Sequence, residues 1–387
     1  MHYLIEGEKL DSLTSLIIDL DAINYNIKQI KDSLPDCTII CPVVKDDCYQ
    51  MGAKTIVKDM IDNDINFFAV ANIDEALEIR ALSNNINILV LGHILPSEFD
   101  IAIKNNIILT ISSLEEAMMI NNVAKDIGKK ALAHIKIDTG MNRIGFKPKN
   151  LGGENFLEVF NFKNIAVEGI FSHFATADEN RKFVDFQMKN FKAAMERLPK
   201  EYSNIIKHIN NSASLLCGYP ESFDMVRPGI ILYGIDISHI EDLTHLQLKE
   251  AFSLKSKLVH IKEVKAGESI GYSQTYKAKK DMLVGTVSIG YGDGYPRRLS
   301  NKYHVLINGE YANIVGNICM DQIMIDLTEI KDYKLYDDVV LIGQSKDKFI
   351  SIIDMANTID DIPYTIMCGI NKRVKRIYIK NNSNYKF

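Results

Sequence analysis

Charged side chains stand directly after several apolar, strand-like runs of this 387-residue sequence. The clearest case is Lys45, which ends the β-branched run 38–44. An amine at the end of a buried strand can be partly desolvated, which makes it a better nucleophile toward a carbonyl. A lysine that only leaves the strand and reaches water would show the same pattern. The positions of the other polar side chains are therefore needed to distinguish a reactive Lys45 from an ordinary surface lysine.

Further polar side chains follow later apolar runs in the same way. If these runs are parallel strands of a barrel, their carboxyl ends bring the side chains to one mouth. Backbone amides near Gly229, with the Ser212 hydroxyl, could hold a phosphate group there. A lysine beside a phosphate site is what pyridoxal 5′-phosphate (PLP) requires, and PLP supplies an electron sink. The side chains concerned are Tyr49, Lys136, Asp138, Arg143, His173, His208, Asn211, Ser212 and Arg227.

Strand-like and helix-like segments alternate from about residue 38 to 235. The strand-like runs are continuously apolar, which is typical of a parallel sheet covered on both faces. Asn72 has the spacing of a helix N-cap, and Ser112 and Ser113 should open a second helix that runs to about Gly128. About eight βα units favour a (β/α)8 TIM-type barrel over an open doubly wound sheet, and we expect it to span residues 14–247. The predicted strands are 15–20, 38–45, 66–71, 87–92, 107–111, 131–138, 165–172, 205–210 and 225–232.

The pattern changes after about residue 247 to short strands separated by turn residues. Apolar and polar residues alternate in 252–260, as in a half-exposed antiparallel strand, and Asn308–Gly309 is a hairpin turn signal. We expect residues 248–387 to form a mostly β domain with a polar, frayed tail, and residues 1–13 to form an N-terminal arm. The fold class is therefore α/β, a barrel followed by a mostly β domain.

Composition narrows the classes of partner. The formal net charge of −5 and the scattered basic residues give no case for nucleic acid or a membrane surface. The six cysteines have no disulfide-like or Cys-x-x-Cys spacing, no signal peptide is expected, and no apolar stretch is long enough to span a bilayer. The histidines lack metal-ligand spacing, so no metal is expected. These features predict a cytoplasmic protein.

The order of short motifs along the chain resembles the alanine racemase family, PLP enzymes built from a barrel and a β domain. The resemblance runs from about Ser15 to Tyr378. It depends on the whole set in its order, because one such motif alone would be weak. The motifs are Pro42–Lys45 with Tyr49, Lys136–Gly145, His173–Asp178, His208–Ser212, Arg227–Gly234, Gly271–Tyr272, Tyr291–Arg297, Cys319–Gln322 and Pro363–Tyr364.

The resemblance implies catalytic roles for two of these residues. Lys45 would bind PLP covalently and, once released by substrate, act as one base. Tyr272 would be the second base and would reach in from the β domain of the partner subunit, so the resemblance also implies a homodimer. One acid–base group on each face of the α-carbon lets a proton leave one side and return on the other.

The same resemblance implies binding roles for the remaining residues. Arg227 would face the pyridine nitrogen and leave it unprotonated, because a guanidinium does not readily release a proton. Arg143 and Met320 would bind substrate, His173 would orient Tyr272, Lys136 could be carbamylated, and Tyr291 would lie near the site. Tyr291 could equally be a packing residue, and His208 a buried hydrogen-bonded histidine. The implied phosphate ligands are Tyr49, Ser212, Gly229, Ile230 and Tyr364.

Two departures from the family pattern concern substrate choice. The family usually continues Ala-Asn-Ala-Tyr-Gly-His-Gly after the lysine, and this chain has Asp46-Asp-Cys-Tyr-Gln-Met-Gly52. The family often has an arginine where this chain has Asn317. Racemisation of L- and D-alanine for peptidoglycan is the expected function. The alternatives are a racemase of serine or a basic amino acid, a PLP-dependent decarboxylase, and a non-catalytic PLP-binding barrel.

Overall fold

The computed structural model describes residues 3–4, 12–148, 155–219, 221, 223–237 and 246–380. The polar tail and most of the N-terminal arm lie outside the described residues. The strands are β1 Tyr3–Leu4, β2 Ser15–Asp19, β3 Ile39–Ile40, β4 Phe67–Val70, β5 Asn87–Val90, β6 Leu109–Ile111, β7 Ala131–Lys136, β8 Ile165–Phe171, β9 Ile206–His208, β10 Met225–Val226, β11 Phe252–Val264, β12 Ser269–Ile270, β13 Tyr276–Lys277, β14 Met282–Val287, β15 His304–Ile307, β16 Glu310–Asn313, β17 Ile323–Asp326, β18 Asp338–Ser345, β19 Lys348–Ile350 and β20 Lys375–Lys380. The helices are α1 Leu20–Asp32, α2 Lys45–Tyr49, α3 Ala53–Asp62, α4 Ile73–Arg80, α5 Phe99–Lys104, α6 Leu114–Ile127, α7 Arg181–Met195, α8 Ser212–Leu216, α9 Ile352–Thr358 and α10 Pro363–Gly369.

The chain divides into two compact units. The barrel unit comprises residues 24–48 and 53–249, and the sheet unit comprises the described residues up to 23, residues 49–52 and residues 250–380. No helix among the described residues is long and apolar enough to cross a membrane.

Eight parallel strands, β3 to β10, close on themselves in the barrel unit. Parallel ladders join β10 to β3, β4 to β5, and β6 through β7 and β8 to β9. The predicted (β/α)8 barrel is thereby confirmed. Backbone hydrogen bonds join the remaining neighbours: Val44 N–H to Ala69 O, Val90 N–H to Ile108 O, and Arg227 N–H to Asn210 O.

Local sequence signals fix the helices that follow these strands. Asn72 accepts a hydrogen bond from Glu75 N–H, which confirms the predicted N-cap. Of the two serines expected to open the next helix, Ser113 is the N-cap and accepts a hydrogen bond from Glu116 N–H. Helix α6 ends at Gly128, whose φ of 72° is the left-handed conformation common at that position. One prediction is wrong in part: β10 covers only Met225–Val226, because Pro228 cannot donate to a ladder and the chain then turns into a 3-10 helix, Ile230–Tyr233.

The sheet unit is built on a ten-stranded sheet in which the order β1-β20-β2-β11-β18-β15-β16 forms the main path. Strand β2 pairs with β11 and β20, so residues 15–19 belong to this sheet, which differs from the expected start of the barrel at residue 14. A short apolar run such as β2 is compatible with either the barrel or the ten-stranded sheet, and only the strands with which it pairs show to which of them it belongs. The Asn308–Gly309 turn between β15 and β16 is confirmed. Helices α9 and α10 were not predicted.

Candidate active site

Lys45 is the first residue of α2, whose following residues have left-handed φ and ψ values, so α2 is a left-handed turn rather than a regular α-helix. Lys45 is half-buried and follows the strand segment that pairs with β4. The five residues after it all have positive φ, between 53° and 65°. Side chains other than glycine rarely adopt this conformation, which costs about 1–2 kcal/mol per residue, so surrounding contacts must hold the turn. The residues are Asp46, Asp47, Cys48, Tyr49 and Gln50.

Glu75 is the main contact of this turn within the barrel unit. Its Oε1 accepts a hydrogen bond from Asp46 N–H at 2.8 Å, and its Oε2 accepts one from Ala71 N–H at 2.8 Å. The carboxylate therefore ties the residue after Lys45 to the end of β4. On the other side of the turn, Asp47 Oδ1 accepts a hydrogen bond from Ala53 N–H at 2.7 Å.

Residues 49–52 are held by the last strand of the sheet unit. Arg376 donates to Gln50 O, and the Tyr378 hydroxyl donates to Met51 O at 3.0 Å. Gly52 has a φ of 98°, and a Cβ there would lie 1.8 Å from the Tyr378 hydroxyl, so only glycine fits. The Tyr49 ring lies 6.0 Å from the Tyr364 ring, which brings these two predicted phosphate ligands together.

The loops after the seventh and eighth barrel strands contain the other predicted phosphate ligands. Ser212 begins α8 after β9, and its Oγ accepts a hydrogen bond from Gly229 N–H at 2.8 Å after β10. The Ser212 hydroxyl hydrogen is then available to a ligand. Ile230 begins a 3-10 turn, so its N–H has no partner within that turn. Two loops thus present a hydroxyl and a backbone amide at the position where barrels commonly bind phosphate.

Arg227 is buried among neutral hydrogen-bond acceptors. Its Nη2 donates to Ser172 O at 2.7 Å and to Ile209 O at 3.2 Å, and its Nη1 donates to His208 Nδ1. Burial lowers the pKa of Arg227 to about 10, so the guanidinium stays charged at neutral pH. Among the described residues no carboxylate pairs with it, and its Nε has no hydrogen-bond partner.

The guanidinium determines the tautomers of two buried histidines. Because Arg227 can only donate, His208 Nδ1 must be an acceptor and its proton must be on Nε2. His208 Nε2 lies 2.9 Å from His134 Nδ1, so His134 accepts and carries its own proton on Nε2. Burial, then the charge of Arg227, lowers the pKa of His134 to about 3 and moves the pKa of His208 well below its ordinary value. Both histidines are neutral.

His173 contacts the same arginine. Its Nδ1 lies 3.4 Å from Arg227 Nη2, and its Nε2 lies 3.4 Å from Asn211 Nδ2. Burial and then the neighbouring cations, Arg227 foremost, hold the pKa of His173 well below its ordinary value. A neutral His173 can accept a proton or a hydrogen bond at one ring nitrogen.

Lys136 and Arg143 lie on either side of an Asp138 turn. Asp138 Oδ1 accepts hydrogen bonds from Gly140 N–H at 3.1 Å and Asn142 N–H at 2.9 Å, which shapes the loop that carries Arg143. Lys136 is buried, and burial followed by the charges of Arg227 and Arg143 moves its pKa well below the ordinary value. Arg143 is exposed and has no side-chain partner within the described parts of the chain, so its guanidinium is available to an anion.

The sheet unit exposes three of the predicted site residues. Tyr272 is 70% exposed, Met320 53% and Tyr291 43%. Tyr291 N–H donates to Cys319 O at 3.0 Å, so the segments carrying Tyr291 and Met320 lie side by side. Gly290 allows this approach, because a Cβ there would lie 2.2 Å from Cys319 O. Arg373 holds both segments, with its Nε donating to Asp293 and its Nη2 to Asp321, each at 2.7 Å.

Two residues of this arrangement were missed in the sequence. Glu75 was recognised only as part of a helix cap. His134 was not singled out, although His134, Lys136 and Asp138 alternate along one strand and so share one face. A period-two run of ionisable residues within an apolar strand is a signal that could have found His134. In the described part of the chain, no group of three or more His, Cys, Asp or Glu could hold a metal ion.

The donors present fit PLP. The Ser212 hydroxyl and the Ile230 amide suit a phosphate, the open Nε–H of Arg227 suits a ring nitrogen that acts as an acceptor, and Lys45 supplies the amine. The donors follow three strands of one barrel, β3, β9 and β10, which allows a ligand to contact several of them.

Comparisons with known proteins show the family of the chain. Family models for the N-terminal and C-terminal domains of alanine racemase match residues 18–236 and 251–378. An alanine racemase of Clostridium novyi (strain NT) is 41% identical over 373 residues, which cover 95% of this chain and 96% of that protein.

Solved structures give the same result. An alanine racemase of Clostridium difficile 630 superposes with a TM-score of 0.90 at 38% identity, covering 97% of this chain and 98% of that one. An alanine racemase from Bartonella henselae with covalently bound pyridoxal phosphate has a TM-score of 0.86 at 29% identity, covering 95% of this chain and 100% of that one.

Proposed function

Since the chain belongs to the alanine racemase family, we propose that it interconverts L- and D-alanine with PLP through two bases, Lys45 and Tyr272. PLP, when bound, draws electrons away from the α-carbon and so makes the α-hydrogen acidic. Lys45 would hold the cofactor through its amine, and the same amine, when free, would exchange a proton with one face of the α-carbon. Tyr272 exchanges a proton with the opposite face. Neither the substrate nor either base then has to change its orientation during the reaction.

Arg227 is the observation that carries this proposal. Its charged guanidinium is surrounded by neutral acceptors and leaves Nε–H open, so a pyridine nitrogen that faces it accepts a hydrogen bond and stays unprotonated. PLP held by Arg227 in this way would supply a weaker electron sink, which suits a reaction that returns a proton to the same carbon.

The remaining residues bind and orient. Tyr49, Ser212, Gly229, Ile230 and Tyr364 hold the phosphate. Arg143 and the Met320 backbone bind near the substrate carboxylate, His173 orients Tyr272, and Tyr291 lies near the site. The lowered pKa of Lys136 keeps its amine neutral more often, which is the form that carbon dioxide carbamylates; the carbamate would orient Arg143.

We further propose that the enzyme acts as a cytoplasmic homodimer in which the sheet unit of each chain supplies Tyr272 to its partner. The exposed Tyr272, Tyr291 and Met320 side chains support such an interface, because exposed clusters of large apolar side chains commonly mark contacts. The free state of Cys37, Cys41, Cys48, Cys217 and Cys319 agrees with a reducing compartment.

Visible absorption of the purified protein, borohydride reduction and mapping of the modified lysine test the site. We expect a yellow protein labelled at Lys45, and labelling at another lysine would contradict the assignment. A panel of L-amino acids, assayed for the D-product, tests the substrate. Turnover of serine or lysine without turnover of alanine would favour the alternative racemases.

Replacing Tyr272 tests the two-base mechanism. Tyr272→Phe should lower kcat by at least about 100-fold, because one face of the α-carbon loses its acid–base group. PLP absorption should be unchanged, since Lys45 is intact. An undiminished rate would exclude Tyr272 as a base.

A further inference from the structure

Asn317 contacts the backbone of Tyr272. Its Nδ2 donates a hydrogen bond to Tyr272 O at 2.9 Å, and its own side chain is half-buried. In the resemblance, this is the position at which the family often has an arginine. At this position the chain therefore has a short neutral amide in place of a long cation. This amide is hydrogen-bonded to the backbone carbonyl of the proposed second base.

The turn that carries Tyr272 needs such support. Gly271, Ser273 and Gln274 have positive φ values of 76°, 59° and 50°. Two of them are not glycine, so the turn is strained and persists only where neighbouring contacts determine it. A Cβ on Gly271 would lie 3.2 Å from Asn317 N, which shows that the turn rests on the Asn317 backbone.

A second asparagine holds the far end of the same turn. Asn301 Nδ2 donates to Thr275 Oγ1 at 3.1 Å, and Asn301 Oδ1 accepts a hydrogen bond from Gly316 N–H at 2.6 Å. Residues 316–317 are thus linked to both ends of the turn 271–275. Of the two side chains, only Asn317 bonds to Tyr272 itself.

We propose that Asn317 is a positioning residue for Tyr272, a step that rests on the proposed function of Tyr272 as a base. The Tyr272 side chain is 70% exposed, so packing within the chain does little to fix it. The direction of its phenol then depends on the backbone, and Asn317 holds that backbone through the Tyr272 carbonyl. A neutral amide makes this contact without adding a charge to the turn.

Asn317→Asp in the holoenzyme tests the proposal, because it keeps the shape of the side chain and replaces the N–H donor by an oxygen. We expect kcat to fall about 10- to 100-fold with KM nearly unchanged, since a small displacement of a catalytic group has effects of this size. Gln344→Glu is the matched control: Gln344 Nε2 also donates to a carbonyl, Lys346 O at 2.8 Å, in the same unit. It should leave kcat within about twofold of the wild type. Asn317→Ala removes the donor without adding charge if the aspartate variant does not fold.

Two readouts separate positioning of Tyr272 from general damage. In deuterated water, exchange of the α-hydrogen in one enantiomer should continue near the wild-type rate while conversion falls, because the Lys45 face is intact. Amide hydrogen exchange of residues 271–275 should be faster in the Asn317 variants than in the wild type. Unchanged kcat, or an equal fall of exchange and conversion, would overturn the proposal. If the wild type racemises no amino acid, the proposed function fails, and the amide exchange still decides whether Asn317 holds the turn.

Discussion

At the scale of single residues, the environment of Arg227 explains the state of its neighbours. A buried guanidinium usually has a carboxylate partner, and here its partners are carbonyl oxygens and histidine nitrogens. Its full charge is therefore available to a ligand. The same charge requires His208 to accept at Nδ1 and, through it, His134 to accept at Nδ1. A proton added to either histidine would place an N–H against a donor.

Mild acid should destabilise the protein because of the buried histidines His134, His173 and His208. Their pKa values are lowered in the folded state and are near 6.5 in the unfolded chain, so below about pH 6.5 the unfolded chain binds more protons. As the pH is lowered below that value, the free energy of unfolding should decrease by up to about 1.4 kcal/mol per pH unit for each histidine.

The His134→Gln variant tests this origin of acid sensitivity, because Gln keeps an acceptor for His208 and does not titrate. Urea unfolding between pH 7 and pH 5 should show a shallower pH dependence for the variant, by up to about one proton. Identical slopes would mean that His134 does not contribute. The free energy of unfolding of the wild type at pH 7 is the value against which all other measurements are compared.

At the scale of elements, the turn after Lys45 is the feature that sequence reasoning could not foresee. The residues from Asp46 to Gln50 carry no glycine, so nothing in their types indicates a left-handed backbone. The turn is determined by contacts from residues far along the chain, such as Glu75 and Arg376. Local signals did find the cap at Asn72 and placed the start of the next helix at Ser112 and Ser113, because those cap bonds lie within three residues.

Glu75 should be needed to hold Lys45 in place. In Glu75→Gln, only one side-chain atom can accept, so either Asp46 N–H or Ala71 N–H loses its partner. We expect kcat to fall about tenfold and PLP to be retained less tightly, measured by racemisation and by absorption after dialysis.

Glu116→Gln is the control for this prediction. Glu116 has the same position in its helix and likewise accepts a backbone hydrogen bond, from Ser112 N–H at 2.9 Å. It contacts no residue of the turn after Lys45. Equal effects of the two substitutions on PLP retention would show that loss of a helix cap, rather than release of Lys45, is responsible.

At the scale of the whole molecule, the proposed homodimer makes a distinct prediction. Lys45→Ala and Tyr272→Phe should each abolish most activity alone. If each site combines Lys45 of one chain with Tyr272 of the other, a mixed dimer contains one intact site. Denaturing and refolding an equal mixture with PLP should then restore about one quarter of the wild-type activity.

The outcome of that mixing experiment depends only on where the second base comes from. If both bases belong to the same chain, the mixed dimer has no intact site and activity stays at the level of the single variants. Refolded wild type, treated identically, gives the reference activity.

The sequence by itself determined the fold class and the family, and it predicted the residue types of the site. Continuous apolar strands, helix caps and the ordered motifs are local signals, so they can be read without coordinates. The tertiary structure alone decided that residues 15–19 pair in the sheet unit, that Lys45 opens a left-handed turn, and that Asn317 holds Tyr272. Each of these three features depends on contacts with residues distant in the chain. The type of a residue does not show which distant residue it will contact.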